Sequence, residues 1–333
     1  MDNANLASDF FCTFISKVYD PFYKSLAVTQ HYFNVLTHKF WDELKVRSIN
    51  LPITTGSISS PMGLGSDSLP VSVKIGKINT YLADSMQFAL EYGCRFHKNG
   101  CYYIMPSFRG EDVDKTHLSQ FFHSEAEMPV GFSEIMEVVN EYVKFLCAGL
   151  LENKDDIGKN FIKYKKIEKI LSVPFKSVSF REAMHLLRSE EDCFREVAPN
   201  AYSITRKGEK ELLSKVGPVV WLYDLDYMSV PFYQASNEDG VSAKAADLLM
   251  EGVGEVVGCG ERHRDGKSVR DSLKKHCVKE SEYEWYIQMK DEVPLKTSGF
   301  GMGIERFFMF LTEVDDIRNL QILPRDNNIE YLP

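Results

Sequence analysis

The stretch whose reading decides the fold is Ser107–Met128, SFRGEDVDKTHLSQFFHSEAEM. Strand-like runs at Tyr102–Phe108 and Leu118–Met128 flank a polar turn, the pattern of a β-hairpin. The turn region holds Arg109, Glu111 and His117, and the returning strand holds Phe121, His123 and Glu125. Such a mixture is either a solvated hairpin with local ion pairs or one wall of a pocket for a ligand both charged and flat.

Near the C-terminus lies SGFGMGIER, Ser298–Arg306, a Gly-rich turn running into an apolar helix. It lacks the GK[ST] of a P-loop, and no βαβ unit follows it, so it is a poor dinucleotide fingerprint. It does offer bare backbone at Gly301 and Gly303, then Arg306 one turn into a helix whose N-terminus favours anions. Arg109 and Arg306 could hold phosphates by forked hydrogen bonds. Phe121 could stack on a base, and Glu111 could accept from an exocyclic amine. A third cluster, EGVGEVVGCGERHRD (Glu251–Asp265), puts Glu255 on a strand between glycines. It is either a rim carboxylate paired to Arg262 or Arg264, or a buried one that calls for a cation such as Mg²⁺.

Outward from these clusters, residues 10–47 read as helix, with Tyr32, Leu36, Phe40 and Leu44 on one face. TTGSISSPMGLGSDSLP (54–70) reads as loop, and VSVKIGKINTYLADS (71–85) as a hairpin turning at Gly76-Lys77. FSEIMEVVNEYVKFLCAGLLEN has a helical apolar face with Ser133 as N-cap. Residues 154–215 read as charged helix, and VVWLYDLD, GVGEVVGCGER and YEWYIQM read as strands. Mixed elements without a βαβ rhythm predict an α+β fold built on an antiparallel sheet.

With 333 residues, 44% hydrophobic and 26% charged, the chain can bury an ample core. No apolar run reaches the roughly 18–20 residues needed to span a bilayer, so no membrane role is expected. The N-terminus does not look like a signal peptide. The seven cysteines form no CxxC and fit reduced thiols, so a cytoplasmic location is expected. A net charge of −9 disfavours broad nucleic-acid binding. The one basic stretch, Asn153–Arg181, reads as a solvated helix face.

The motifs resemble the catalytic domain of class II aminoacyl-tRNA synthetases, on the asparaginyl/aspartyl branch. Motif 2 of that class stands as Phe108-Arg109-Gly110-Glu111 and His117-Leu118-Ser119-Gln120-Phe121. Motif 3 stands as Gly299-Phe300-Gly301-Met302-Gly303-Ile304-Glu305-Arg306. Motif 1, a helix and a strand ending in Pro, fits residues 30–52. GVGEVVGCGER is similar to the asparaginyl Gly-Val-Gly-Glu-Ile-Ile-Gly-Gly-Ser-Gln-Arg. His123-Ser124-Glu125-Ala126-Glu127-Met128 is similar to Gln-Ile-Glu-Ala-Glu-Met. The likeness runs from about residue 30 to Arg325.

The resemblance implies a class II synthetase-type antiparallel sheet flanked by helices and a homodimer through motif 1. It implies one catalytic domain over 1–333, with motif 1 at 30–52, motif 2 at 107–128, a helical insertion at 130–215 and motif 3 at 298–311. It implies ATP and Mg²⁺, with Arg109 on the α-phosphate, Phe121 and Arg306 around the adenine, His117 on the phosphate tail and Glu255 on the metal. Glu111, Gly301 and Gly303 would complete the ATP site. Ser85, Gln87, His123, Glu125, Gly258 and Lys290 would form the amino-acid site. Three departures stand out. Too few residues precede motif 1 for the family's anticodon-binding barrel, so no barrel is expected. Lys290 replaces an Arg that grips the substrate side chain, and Glu261 replaces a Gln.

Three readings follow. The first is an AMP-forming ligase that passes an aspartate- or asparagine-like acyl group to ammonia or another amine. GLGSDSLP (63–70), which resembles archaeal asparagine-synthetase-like proteins, supports it. The second is transfer to tRNA or a carrier, with the lysines of 154–176 as the contact. The third is a non-catalytic regulatory paralogue. The missing barrel and acidic charge put the small-molecule ligase first and leave tRNA as a possible but disfavoured partner.

Overall fold

The computed structural model describes residues 14–59 and 69–325. Most of GLGSDSLP therefore lies outside the described residues. The first long helix, α1 (Pro21–Glu43), starts where Asp20 accepts a 2.8 Å hydrogen bond from Phe22 N–H and Pro21 fills the first turn. It leads to the short strands β1 (Arg47–Ser48) and β2 (Thr54–Thr55), then to the hairpin β3 (Val71–Ile75) and β4 (Ile78–Leu82). Helix α2 (Gln87–Gly93) precedes the decisive hairpin, β5 (Cys101–Phe108) and β6 (Gln120–Met128). Helix α3 (Phe132–Glu152) follows, capped from Gly131 rather than Ser133.

The stretch 130–215 is only partly helical. It holds α4 (Tyr164–Ser172), β7 (Lys176–Ser179), α5 (Phe180–Leu186), the hairpin β8 (Phe194–Ala198) and β9 (Ala201–Ile204), and α6 (Arg206–Val216). Then come β10 (Val219–Tyr223), β11 (Ala245–Met250), β12 (Gly254–Glu261), α7 (Gly266–Lys275), α8 (Glu284–Glu292), β13 (Ser298–Gly303) and α9 (Ile304–Thr312). Two readings need correction here. YEWYIQM lies in helix α8, because Tyr286, Ile287 and Lys290 bury one helical face. The Gly-rich run is strand β13, not a turn, because it pairs on both sides, with β6 and with β12.

The main sheet has the order β1-β5-β6-β13-β12-β11-β10-β7. All its pairings are antiparallel except the edges β1–β5 and β10–β7. Among the described residues the other sheets are β2-β4-β3 and β8-β9. The expected α+β architecture, an antiparallel-dominated sheet flanked by helices, is the one observed.

Alternation along the strands assigns the two faces. Ala126, Phe300, Met302, Val257, Cys259 and Leu248 face α1 and α3 and form the core with Phe33, Trp41, Val139, Tyr142 and Leu146. Phe300 anchors that packing, 5.9 Å from the Trp41 ring and 5.8 Å from Tyr142. The opposite face carries one row in register: Tyr103, Glu125, Gly301, Gly258 and Asp247 across β5, β6, β13, β12 and β11. Two glycines between two carboxylates leave open backbone at the centre of this face.

Candidate active site

Above that row lies a cavity of about 720 Å³, a size suited to a small-molecule ligand. Its wall includes Arg109, Glu111, His117 and Phe121 from the β5–β6 hairpin, His123 from β6, Glu255 from β12, Gly301 and Gly303 from β13, and Arg306 from α9. Residues scattered over two hundred positions thus meet in one place, which excludes the solvated-hairpin reading.

Arg109 follows β5 directly, its N–H bonded to Ser119 O at 2.9 Å. Its guanidinium lies over the Phe121 ring, 5.5 Å from the centroid. Its Nε and Glu111 Oε2 are buried without a hydrogen-bond partner. Unsatisfied buried polar atoms of opposite character are costly, and a ligand with acceptors and donors would satisfy both. His117 sits in a loop gathered by Asp114, whose Oδ1 accepts from Thr116 N (2.6 Å) and His117 N (2.8 Å). Although burial opposes it, hydrogen bonds from Thr116 and His117 hold the Asp114 carboxyl well below its usual range.

Arg306 donates from Nη1 to Glu255 O at 3.0 Å, and Glu255 Oε2 lies 3.8 Å away. Glu255 and Asp247 converge over Gly258: a Cβ there would stand 3.1 Å from Glu255 Oε1 and 3.7 Å from Asp247 Oδ1. Burial, then the charges of Glu255 and Glu209, push the Asp247 carboxyl well above its usual value. Burial and Glu255 likewise push Glu209 up to about 7. This concentration of negative charge, only partly offset by Arg306, fits a cation. Among the described residues no complete cage of three or more His, Cys, Asp or Glu exists. A hard cation held by one or two carboxylates and by phosphate oxygens needs none.

Beside the cavity, Glu125 gathers a polar cluster. Its Oε2 accepts from Ser85 Oγ at 2.6 Å and from the Tyr103 hydroxyl, and its Oε1 lies 2.8 Å from His123 Nδ1. Burial opposes ionisation, but His123, Ser85 and Tyr103 keep the Glu125 carboxyl below its ordinary value. Gln87 N–H bonds Ser85 Oγ at 3.1 Å, while Gln87 Nε2 is buried without a partner. Ser85, Gln87 and Glu125 are thus brought together by hydrogen bonds, and Gly258 lies in the same sheet row as Glu125, but none of the four lines the cavity.

Lys290 is the exception. It is fully buried, paired with Glu91 and donating to His263 O at 2.5 Å. Its ammonium belongs to a structural ion pair beneath α2 and α8, not to the amino-acid cluster. Arg262 is a buried guanidinium on the strand side, bonded to Gln234 Oε1 at 2.8 Å and paired with Glu127 at 3.2 Å. Sequence reasoning also missed Asp247, Glu209, Arg195 and Arg206. Arg195 and Arg206 line the cavity from β8 and the start of α6, and no local motif marks them.

The family description "tRNA synthetases class II (D, K and N)" matches residues 14–327. An asparagine–tRNA ligase of Clostridium tetani is 28% identical over 314 residues, covering 86% of this chain and 67% of that protein. One from Malacoplasma penetrans is 29% identical over 304 residues, with the same coverage. The fold is similar to asparaginyl-tRNA synthetase from Pyrococcus horikoshii complexed with asparaginyl-adenylate, with a TM-score of 0.84 at 21% identity, over 95% of this chain and 71% of that one. It is also similar to an aspartyl tRNA synthetase from Entamoeba histolytica, with a TM-score of 0.72 at 18% identity, over 92% and 59%. These relatives overturn the expectation that tRNA is a disfavoured partner, since the relatives named are tRNA ligases, and they back the tRNA-transfer reading better than the free-amine one. Net charge was a poor guide, because it averages over the whole surface while a nucleic acid meets one face. With the family match spanning nearly its whole length, this chain belongs to the class II tRNA synthetases of the D, K and N kind.

Proposed function

We propose that this protein activates an asparagine-like amino acid with ATP and passes the acyl group to tRNA. The observation that carries the reading is the meeting of Arg109, Phe121 and Arg306 on one cavity, next to the Glu125 cluster. The relatives' printed activity supports the tRNA acceptor over ammonia.

In this reading the partnerless Arg109 Nε and Glu111 Oε2 are satisfied by ATP, with Arg109 on the α-phosphate and Glu111 on the adenine amine. Phe121 and Arg306 flank the base, His117 takes the phosphate tail, and Gly301 and Gly303 keep side chains out of the ligand's way. Asp247 and Glu255 would hold Mg²⁺, which supplies charge neutralisation among the phosphate oxygens. Gln87 and Glu125 receive the amino acid's ammonium, with Ser85 and Tyr103 fixing the carboxylate. The substrate carboxylate attacks the α-phosphorus and pyrophosphate leaves. Arg109 and Arg306 are already in place for the charge that develops, so the chain contributes positioning and electrostatics rather than a covalent intermediate.

The test is amino-acid-dependent exchange of pyrophosphate into ATP, run with asparagine and aspartate separately. Exchange with asparagine that disappears in Arg306→Ala supports the site. Exchange with neither amino acid would refute it.

A further inference from the structure

His123 touches both halves of the site. It lines the cavity, and its strand neighbour Glu125 anchors the polar cluster behind it. Its Nδ1 is committed on the protein side, 2.8 Å from Glu125 Oε1 and 3.0 Å from Ser107 Oγ. The Phe121 ring meets the imidazole edge-on at 4.8 Å and fixes its plane. Nε2 has no protein partner among the described residues, and the side chain keeps 13% of its surface exposed. A carboxylate on Nδ1 selects the tautomer with the proton on that nitrogen, so Nε2 carries the lone pair. A base oriented by an acid, on a residue that lines the cavity, is the arrangement of a general base.

We propose that His123 is the proton acceptor in the transfer step, oriented by Glu125; this rests on the acyl-transfer reading above. The hydroxyl oxygen of the tRNA 3′-terminal ribose attacks the acyl carbonyl carbon and forms the ester bond. Its proton passes to His123 Nε2. The bond between the acyl carbon and the phosphate oxygen breaks, and AMP leaves with that electron pair. The imidazolium so formed is paired with the Glu125 carboxylate, and it returns its proton to solvent after AMP departs. Glutamine, the residue of the similar hexapeptide, can position a ligand but cannot take up a proton.

Several groups set the charge around the ring. Glu125 adjoins it on β6, with Tyr103 on β5 behind. Glu305 on α9 interacts with it electrostatically while accepting from Phe122 N–H at 3.0 Å. Arg109 and Arg306 line the same cavity. A general base acts only in its unprotonated form, so the transfer rate should climb with pH and then level off.

The experiment separates the two half-reactions. Enzyme preloaded with ATP, Mg²⁺ and labelled asparagine is mixed with total tRNA, and single-turnover transfer is followed from pH 5.5 to 8.5. Wild type should show the rising limb. His123→Gln should transfer about 10²-fold more slowly, on the scale of a lost general base, and without the limb. In His123→Ala, added imidazole should restore part of the rate. A flat wild-type profile, or a Gln variant that keeps both rate and limb, would overturn the proposal. Pyrophosphate exchange on the same wild-type preparation tells the failures apart. Absent exchange refutes the activation reading and takes the proposal with it, whereas intact exchange with transfer indifferent to His123 refutes the proposal alone.

Discussion

Lys290→Met separates a structural ion pair from a substrate contact. Lys290 and Glu91 are both fully buried and bonded to each other. Glu91 also receives the Tyr286 hydroxyl at 2.7 Å, so its charge is committed to this spot. Removing the ammonium leaves a fully buried carboxylate without its ion-pair partner. Breaking one side of such a pair costs about 3–5 kcal/mol. In a chain of this size each kcal/mol lowers Tm by about 2 °C, so the variant should melt roughly 6–10 °C below wild type. The double variant Lys290→Met with Glu91→Met removes both charges. Its cost should fall short of the summed single variants by at least ~2 kcal/mol, the signature of a coupled pair. Urea unfolding gives the stabilities, and pyrophosphate exchange with a panel of amino acids gives the specificity. A Lys290→Met protein as stable as wild type but altered in amino-acid preference would show that the ammonium reads substrate.

Three further outcomes are expected. Arg109→Ala and Arg306→Ala should each slow pyrophosphate exchange by about 10²-fold or more, the scale of losing a transition-state donor, with unfolding curves as the control. Gly299→Ala should destabilise the sheet by at least about 1–3 kcal/mol in urea melts, because its Cβ would lie 2.5 Å from Ala126 O and 2.7 Å from Glu127 Cδ. The third concerns pH. Burial, then the Lys290 charge, lowers His263 from 6.5 to about 4, so between those values the unfolded chain binds the proton more tightly. Stability should therefore fall as pH drops from 6.5 to 4, by up to about 3 kcal/mol from this group. That share of the acid limb should be missing in His263→Gln.

The decisive hairpin was legible because two strand-like runs flank a polar turn whose charged residues a core has no use for. The glycine run was harder. Three glycines in six residues look like a turn, yet in β13 Gly299 and Gly301 sit where the side chains of Glu127 and Glu125 on the neighbouring strand take the space. YEWYIQM misleads because Tyr, Trp and Ile favour strands locally, while burial of Tyr286, Ile287 and Lys290 rewards a helix. The placement of Lys290 could not be read from spacing, because its partner Glu91 is 199 residues away. Asp247 became visible only through register: it stands opposite Gly258 across β11–β12, beside a bulge at Leu248/Leu249 that no local pattern announces. Glu209, Arg195 and Arg206 come from the segment read as charged helix, where their charges looked like solvated surface.

The most direct test of the central claim is aminoacylation itself, with total tRNA labelled at its 3′-terminal adenosine and ATP, Mg²⁺ and asparagine supplied. Labelled aminoacyl-adenosine after nuclease digestion, dependent on asparagine and lost in Arg306→Ala, is the result predicted here. Pyrophosphate exchange without any charged tRNA, or acyl transfer to ammonia in its place, would contradict it.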